Sequence, residues 1–235
     1  MKEFIYGKQP VTELLKSHSD QISFVCCTTN NTEIIKLCRE KNVNYKIVDE
    51  INSVSDKVSQ GVMAEIDEYH YYKFEDIVSR YKDKEDALIV LLDQIYDPHN
   101  FGAILRTCNA AGVDAVVILD RRQVQITGSV IKSSSGAAFY EKVTKVNNLT
   151  RAVNILKKSG FWIVGTSLDT KDSYDAIDYK RKICIVVGNE GKGISRLVAE
   201  NCDYLVKIPM KGKIESLNVS VATAILLYEV NRKRN

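Results

Sequence analysis

Residues 88–92 of this chain, Leu-Ile-Val-Leu-Leu, form an unbroken apolar run, and no other feature restricts the fold as strongly. A strand with one face in water alternates apolar and polar side chains. A strand apolar at every position has both faces covered, as in a parallel sheet lying between layers of helices. Further strand-like runs at 115–119, 162–165, 184–187 and 205–208 are separated by helix-like stretches at 101–111, 148–159, 194–201 and 218–232. Alternation of that kind predicts an α/β domain built on a parallel sheet.

Upstream the elements are shorter. A helix at 8–17, a strand at 22–28, a helix at 32–41 and strands at 44–48 and 61–66 predict a small α/β unit over residues 1–66. Residues 67–86 turn polar and charged around a helix-like segment at 74–80 and read as a linker, which leaves 87–235 for the larger domain. A chain of 235 residues with 45% hydrophobic content suffices for one or two such cores. The formal net charge of +3 is mild, but Lys211, Lys213 and the run Asn231-Arg-Lys-Arg-Asn235 concentrate positive charge and favour a polyanionic partner. The six cysteines show no C-x-x-C spacing and lie mostly in apolar runs. That argues against a zinc knuckle or a disulfide framework and predicts buried thiols in a reducing, cytoplasmic setting. No apolar run reaches membrane-spanning length, and the first residues lack the apolar core of a signal peptide.

Three segments carry chemistry. Asp97-Pro-His-Asn-Phe-Gly-Ala-Ile-Leu-Arg106 follows the 88–92 strand, where α/β sheets place ligands at the carboxyl ends of their strands. Asn100 falls at the helix start. Arg106, a little under two turns on, offers a guanidinium to a phosphate or a developing oxyanion, although a surface ion pair is the commoner fate of a helical arginine. His99 is either a general base or merely solvated. The second segment, Gly188-Asn-Glu-Gly-Lys-Gly-Ile-Ser195, has glycines that let a ligand approach the backbone closely. It is not a P-loop, since Gly193 follows Gly191-Lys192 where Ser or Thr is required. Nor is it a dinucleotide fingerprint, since Ile208 and Pro209 stand where an acid is needed, which disfavours a nicotinamide or flavin enzyme. Glu190 in that turn is placed to orient a hydroxyl or an amide. The third segment, Ile208 to Ala222, runs through a Lys/Gly loop into Asn218, a helix N-cap, with Ser216 and Ser220 beside it. Taken alone, it is accounted for equally well as a capped helix.

In this order, and each at a strand end, the three segments resemble the three motifs of the SpoU (TrmH) family of RNA ribose 2′-O-methyltransferases, most closely the RlmB branch that acts on a guanosine of 23S rRNA. Residues 4–15 and 60–62 look like the small RNA-binding domain of that family, which is similar to the ribosomal L30e fold. The resemblance implies a trefoil-knotted, SPOUT-type parallel-sheet methyltransferase domain in a homodimer. It also implies S-adenosylmethionine held by main-chain groups at Gly188, Ile208 and Leu217, with Thr166 bordering the pocket. Arg106 matches the catalytic arginine, with Asn100, Glu190, Ser216 and Asn218 around it, and no metal is called for. Two departures stand out: Ser59-Gln60-Gly61 where relatives often carry His-Gln-Gly, and Phe139 where they often carry an acid.

Methyl transfer from a sulfonium demands in-line approach of an oxygen nucleophile, so catalysis rests on positioning and charge stabilisation. An arginine with a pKa above ~12 is a poor proton acceptor. Arg106 is therefore expected as the electrostatic partner of an incipient alkoxide and a neighbouring phosphate, with Glu190 or water carrying the proton. Tyr69, Tyr71 and Tyr72 are expected either to stack on unpaired bases or to pack between domains. The competing readings are a tRNA ribose methyltransferase of the same family and a non-catalytic RNA-binding protein of ribosome assembly.

Overall fold

The computed structural model describes residues 3–51, 59–66, 68–213 and 216–235. Their packing divides into two compact units, one of residues up to His70 together with Gln125–Tyr140, the other of Tyr71–Val124 and Glu141–Asn235.

The first unit starts with β1 (Glu3–Tyr6) and α1 (Lys8–Ser17), followed by β2 (Ile22–Cys27), α2 (Thr32–Glu40), β3 (Tyr45–Ile47) and β4 (Val62–Ile66). Its sheet runs β1-β4-β2-β3 and is mixed: β4 is antiparallel to both neighbours, while β2 and β3 are parallel. In β4 the side chains of Val62, Ala64 and Ile66 are buried and those between are half-buried, the period-2 signature of a strand with one covered face. α1 buries Val11, Leu14 and Leu15, spaced three and four apart on one helix face. A short helix (Gly128–Ser133) belongs to this unit and lies against β1. Its first residue must be glycine, because a Cβ there would collide with the Phe4 carbonyl. Tyr69 is buried in the same unit and donates its hydroxyl to the Ala138 carbonyl at 2.9 Å.

The second unit is built on six parallel strands in the order β10-β8-β9-β5-β6-β7. They are β5 (Ala87–Asp93), β6 (Ala115–Leu119), β7 (Val143–Val146), β8 (Trp162–Thr166), β9 (Lys182–Gly188) and β10 (Tyr204–Val206). Every residue of β5 is buried, as its unbroken apolar run requires. Ile89 and Leu91 face a cluster formed with α3 (Phe74–Arg80), which contributes Phe74 and Ile77, and with α6 (Leu149–Lys158), which contributes Leu149, Val153 and Leu156. By strand alternation Leu88, Val90 and Leu92 point to the opposite layer. Helices α4 (Pro98–Ala111) and α8 (Val219–Arg234) pack side by side, and α8 also packs on β9; α5 is the short helix of the first unit and α7 is Arg196–Ala199.

Several sequence expectations change. Strands β1 and β7 and helix α5 were not expected, and β10 ends at Val206, short of Ile208. Residue 67 of the stretch read as a linker lies outside the described residues, but Phe74, Ile77 and Tyr81 of that stretch are core residues of the second unit. The basic run near Asn231 is largely taken up by the protein itself. Arg232 pairs with Glu229 at 2.7 Å, and the Arg234 guanidinium donates to the carbonyls of Ala87, Tyr179 and Arg181. Among the described residues no helix is long and apolar enough to cross a membrane.

Candidate active site

At the carboxyl end of β9 the chain makes the turn Asn189–Ser195, held from within and from β5. Gly193 has a φ of +66° and exchanges two backbone hydrogen bonds with Asn189, at 3.0 and 2.7 Å. The Asn189 Oδ1 accepts from the N–H groups of Gly191 and Lys192, while its Nδ2 donates to the Gln94 carbonyl. Ser195 N donates at 2.7 Å to Asp93 Oδ2, a carboxylate only 1% exposed at the end of β5. Gly188 has no alternative, since a Cβ there would collide with the backbone of Gly193 and Ile194.

Two helices begin beside this turn. Asp97 caps α4 by accepting from His99 N and Asn100 N, with Pro98 at the first helical position. Asn218 caps α8, its Oδ1 accepting from Ser220 N at 2.9 Å and Ser220 Oγ at 2.6 Å. With Oδ1 so engaged, Nδ2 of Asn218 donates to Asn100 Oδ1 at 2.9 Å and to Glu190 Oε1 at 2.8 Å. Asn100 Nδ2 closes the triangle onto the same Glu190 oxygen at 3.0 Å, and Val219 N adds a bond at 3.1 Å. The helices also meet further along, where Asn231 Nδ2 donates to the Ala111 carbonyl at 2.9 Å, so they run in the same direction. Both positive N-terminal ends therefore face one carboxylate.

Behind the triangle lies a cavity of about 460 Å³, a size suited to a small organic cofactor. Of the residues singled out in the sequence, Thr166, Gly188, Glu190, Ile208, Ser216 and Leu217 line it. Asn100 and Asn218 join it through Glu190. Thr166 is tied by its hydroxyl to the Val186 carbonyl at 3.4 Å. Arg106 is exposed on α4 and does not line the cavity, and neither does the exposed His99. Ile214 and Glu215 of the third motif lie outside the described residues. Sequence reading missed Asn189 and Asp93, whose polar groups stand at the ends of apolar strands, and Leu168 and Met210, which give the cavity apolar walls. Tyr69 is buried, and Tyr71 lies under Lys145, whose Nζ stands 4.1 Å from the ring centroid, whereas Tyr72 is exposed.

The arrangement offers backbone groups, amides, hydroxyls and one carboxylate. Thiolate chemistry is not among its means. All six cysteines are free, and burial pushes the Cys202 thiol up to about 12, Cys38 to about 11, and Cys108 and Cys184 well above the usual range.

Comparison with known proteins gives a consistent result. The model of the SpoU rRNA methylase family matches residues 87–228, and the model for RNA 2′-O ribose methyltransferase substrate binding matches residues 4–72. The chain is 37% identical over 242 residues to the TrmH family tRNA/rRNA methyltransferase YacO of Bacillus subtilis, covering 99% of this chain and 96% of that protein. It is 40% identical over 238 residues to a TrmH family tRNA/rRNA methyltransferase of Staphylococcus saprophyticus, with 98% and 96% covered. Among solved structures it is similar to the SpoU methyltransferase AviRb of Streptomyces viridochromogenes, with a TM-score of 0.83, 21% identity, and 99% and 90% of the two chains covered. AviRb has also been solved in complex with AdoMet.

Proposed function

Since this chain belongs to the SpoU rRNA methylase family, we propose that it methylates the ribose 2′-hydroxyl of a guanosine in 23S rRNA, with S-adenosylmethionine as the methyl donor. Membership makes it an RNA 2′-O-ribose methyltransferase in general terms; the rRNA substrate, the RlmB branch and the residue roles are our reading. The observation that carries it is the closed triangle of Asn100, Glu190 and Asn218 at the edge of a cavity walled by the turn after β9. Residues 4–72 serve in this reading as the RNA-binding part. A cytoplasmic homodimer with a knotted crossing of the chain in the larger domain belongs to the same proposal.

The residues present suit the donor. The turn that only glycine permits at Gly188, with Ile208 and Leu217 opposite, offers main-chain hydrogen-bonding groups at the wall, and Thr166 borders them. When bound, S-adenosylmethionine supplies an electrophilic methyl group on a sulfonium. Glu190 holds the site together: one of its oxygens already accepts from Asn100, Asn218 and Val219, so that oxygen orients both asparagines. Asn100 and Ser216 are then placed to position the ribose. Proton removal falls to water or to the other Glu190 oxygen. Arg106, exposed on α4, meets RNA in this reading and stabilises the alkoxide charge together with the adjoining phosphate.

Replacing Arg106 with lysine keeps the charge but loses the fork geometry, and the expected loss of turnover is about 100-fold with S-adenosylmethionine affinity unchanged. Normal turnover would remove Arg106 from the mechanism. The substrate is tested by mapping 2′-O-methyl groups in cells lacking the protein. Loss of one 23S rRNA guanosine mark is the expected result, and loss of a tRNA mark with an intact rRNA map would transfer the activity to tRNA.

A further inference from the structure

The carboxyl edge of the sheet carries a second concavity, of about 830 Å³, beyond the ends of β5, β6 and β7. Arg121, Arg122 and Arg196 line it, with Asn147 and Thr150 between them and Leu119, Leu149 and Leu197 supplying apolar surface. The turn after β9 separates this groove from the cofactor-sized cavity: Gly188 to Ile194 face the cavity, whereas Ser195 to Val198 face the groove. The Ser195 to Asp93 bond fixes that partition.

The arginines are not there to hold the fold. Among the described residues no ion pair or side-chain hydrogen bond engages Arg121 or Arg122, and both are exposed. Arg122 has a φ of +61°, costly for a residue with a side chain, and the turn it makes lets consecutive arginines line the same groove. Among the described residues Arg196 pairs only with Glu200, at 3.5 Å and with both side chains exposed, a contact weak enough to be exchanged for a phosphate. The loop that bears Arg121 and Arg122 is itself held, Val124 N bonding the Ile95 carbonyl at 3.0 Å and Gln94 N bonding Gln123 Oε1 at 3.2 Å. Leu197 is 57% exposed, an apolar surface of the kind on which a ribose or base edge rests. Past it the concavity continues beside Arg151 and Lys158. Asp93 is the acid in the groove wall, and its Oδ2 is engaged by Ser195 N.

We infer that this groove docks the sugar–phosphate backbone of the RNA substrate beside the methylated ribose, with Arg121, Arg122 and Arg196 taking its phosphates. Guanidinium groups carried on a held loop over an apolar floor suit phosphates separated by sugars, whereas a free small anion would use the cations and leave the floor exposed. The inference rests on the proposed RNA substrate, and it assigns to the larger unit a share of RNA binding that does not depend on residues 4–72.

The test uses the full chain, with Arg121→Ala/Arg122→Ala as one variant and Arg196→Ala as another. Purified bacterial 23S rRNA and bulk tRNA serve as probes, bound over a range of salt concentrations. The double variant is expected to bind whichever RNA the unaltered protein prefers about tenfold more weakly, with the slope of log K against log salt shallower by about 1.5, and with S-adenosylmethionine affinity and melting temperature retained. Replacement of both residues by lysine is expected to restore most of the slope. A double variant that keeps the affinity and slope of the unaltered protein overturns the groove. An unaltered protein that binds RNA through these arginines but transfers no methyl group to it overturns the proposed function and leaves the groove standing.

Discussion

Glu190 and Glu141 are each hydrogen-bonded to an asparagine of α4, one near its first turn and the other in its last. Glu190 is exposed, meets Asn100, and receives the N-terminal ends of two helices. Glu141 is 4% exposed, accepts from Asn109 Nδ2 at 3.0 Å, and has Asp114 nearby. Burial drives its carboxyl up to about 7, Asp114 adds to the rise, and the Asn109 bond and Lys142 oppose it. One helix thus presents donors and a favourable dipole to the first carboxylate, and at its other end offers the buried second one the Asn109 amide against an unfavourable dipole. A carboxylate at a helix start can be an organising charge; buried near a helix end it costs stability.

That contrast can be broken by substitution. Glu190→Ala removes the common acceptor of Asn100, Asn218 and Val219 and is expected to lower turnover about 100-fold, because both asparagines lose the carboxylate that orients them. Stability should fall by only about 1 kcal/mol, as water replaces the lost acceptor at this exposed position. Steady-state kinetics alongside urea titration separates the two effects, and unchanged turnover would make Glu190 incidental.

At Glu141 the sign reverses. Its folded-state pKa lies above the unfolded value of 4.5, so the folded protein holds the extra proton between pH 4.5 and about 7. Stability from this group is therefore fully present below pH 4.5, declines as pH rises to about 7, and is level above it, with a total loss of about 3 kcal/mol. Glu141→Gln keeps an acceptor for Asn109 and should flatten this decline, making the variant more stable than the parent at pH 8 and little different at pH 4.5. Urea midpoints at the two pH values read it directly, and equal differences at both would refute it.

The smallest effect is expected at Asn218→Ala, which removes the cap of α8 at a cost of about 1 kcal/mol. It also takes one donor from Glu190, so turnover should drop by less than in Glu190→Ala. A drop as large as that of Glu190→Ala would shift the organising role from the carboxylate to the amide.

The two glutamates also differ in how far sequence discloses them. Glu190 stood in a glycine-rich turn straight after an apolar strand, a local signal, and Asn100 and Asn218 each stood at a recognisable helix start. Their convergence depends on strand order, which places β9 beside β5 and sets two distant helices side by side. Glu141 follows Tyr140 in a stretch with no clear period, just ahead of β7, a four-residue edge strand too short to announce itself. Helix α5 was hidden for a similar reason: it spans only Gly128–Ser133 and packs on β1 through a bare glycine. Arg106 shows the opposite limit. Six residues from Asn100 is about 600° around a helix, so the two point roughly 120° apart, and their closeness in sequence does not bring both to the cavity.

The central claim is methyl transfer to a ribose hydroxyl of RNA, and labelled S-adenosylmethionine tests it most directly. The protein would be incubated with unmodified 23S rRNA and with unmodified tRNA, and the digested nucleosides separated. Label in 2′-O-methylguanosine from the rRNA is the predicted result; label on a base, or in neither RNA, would contradict the account.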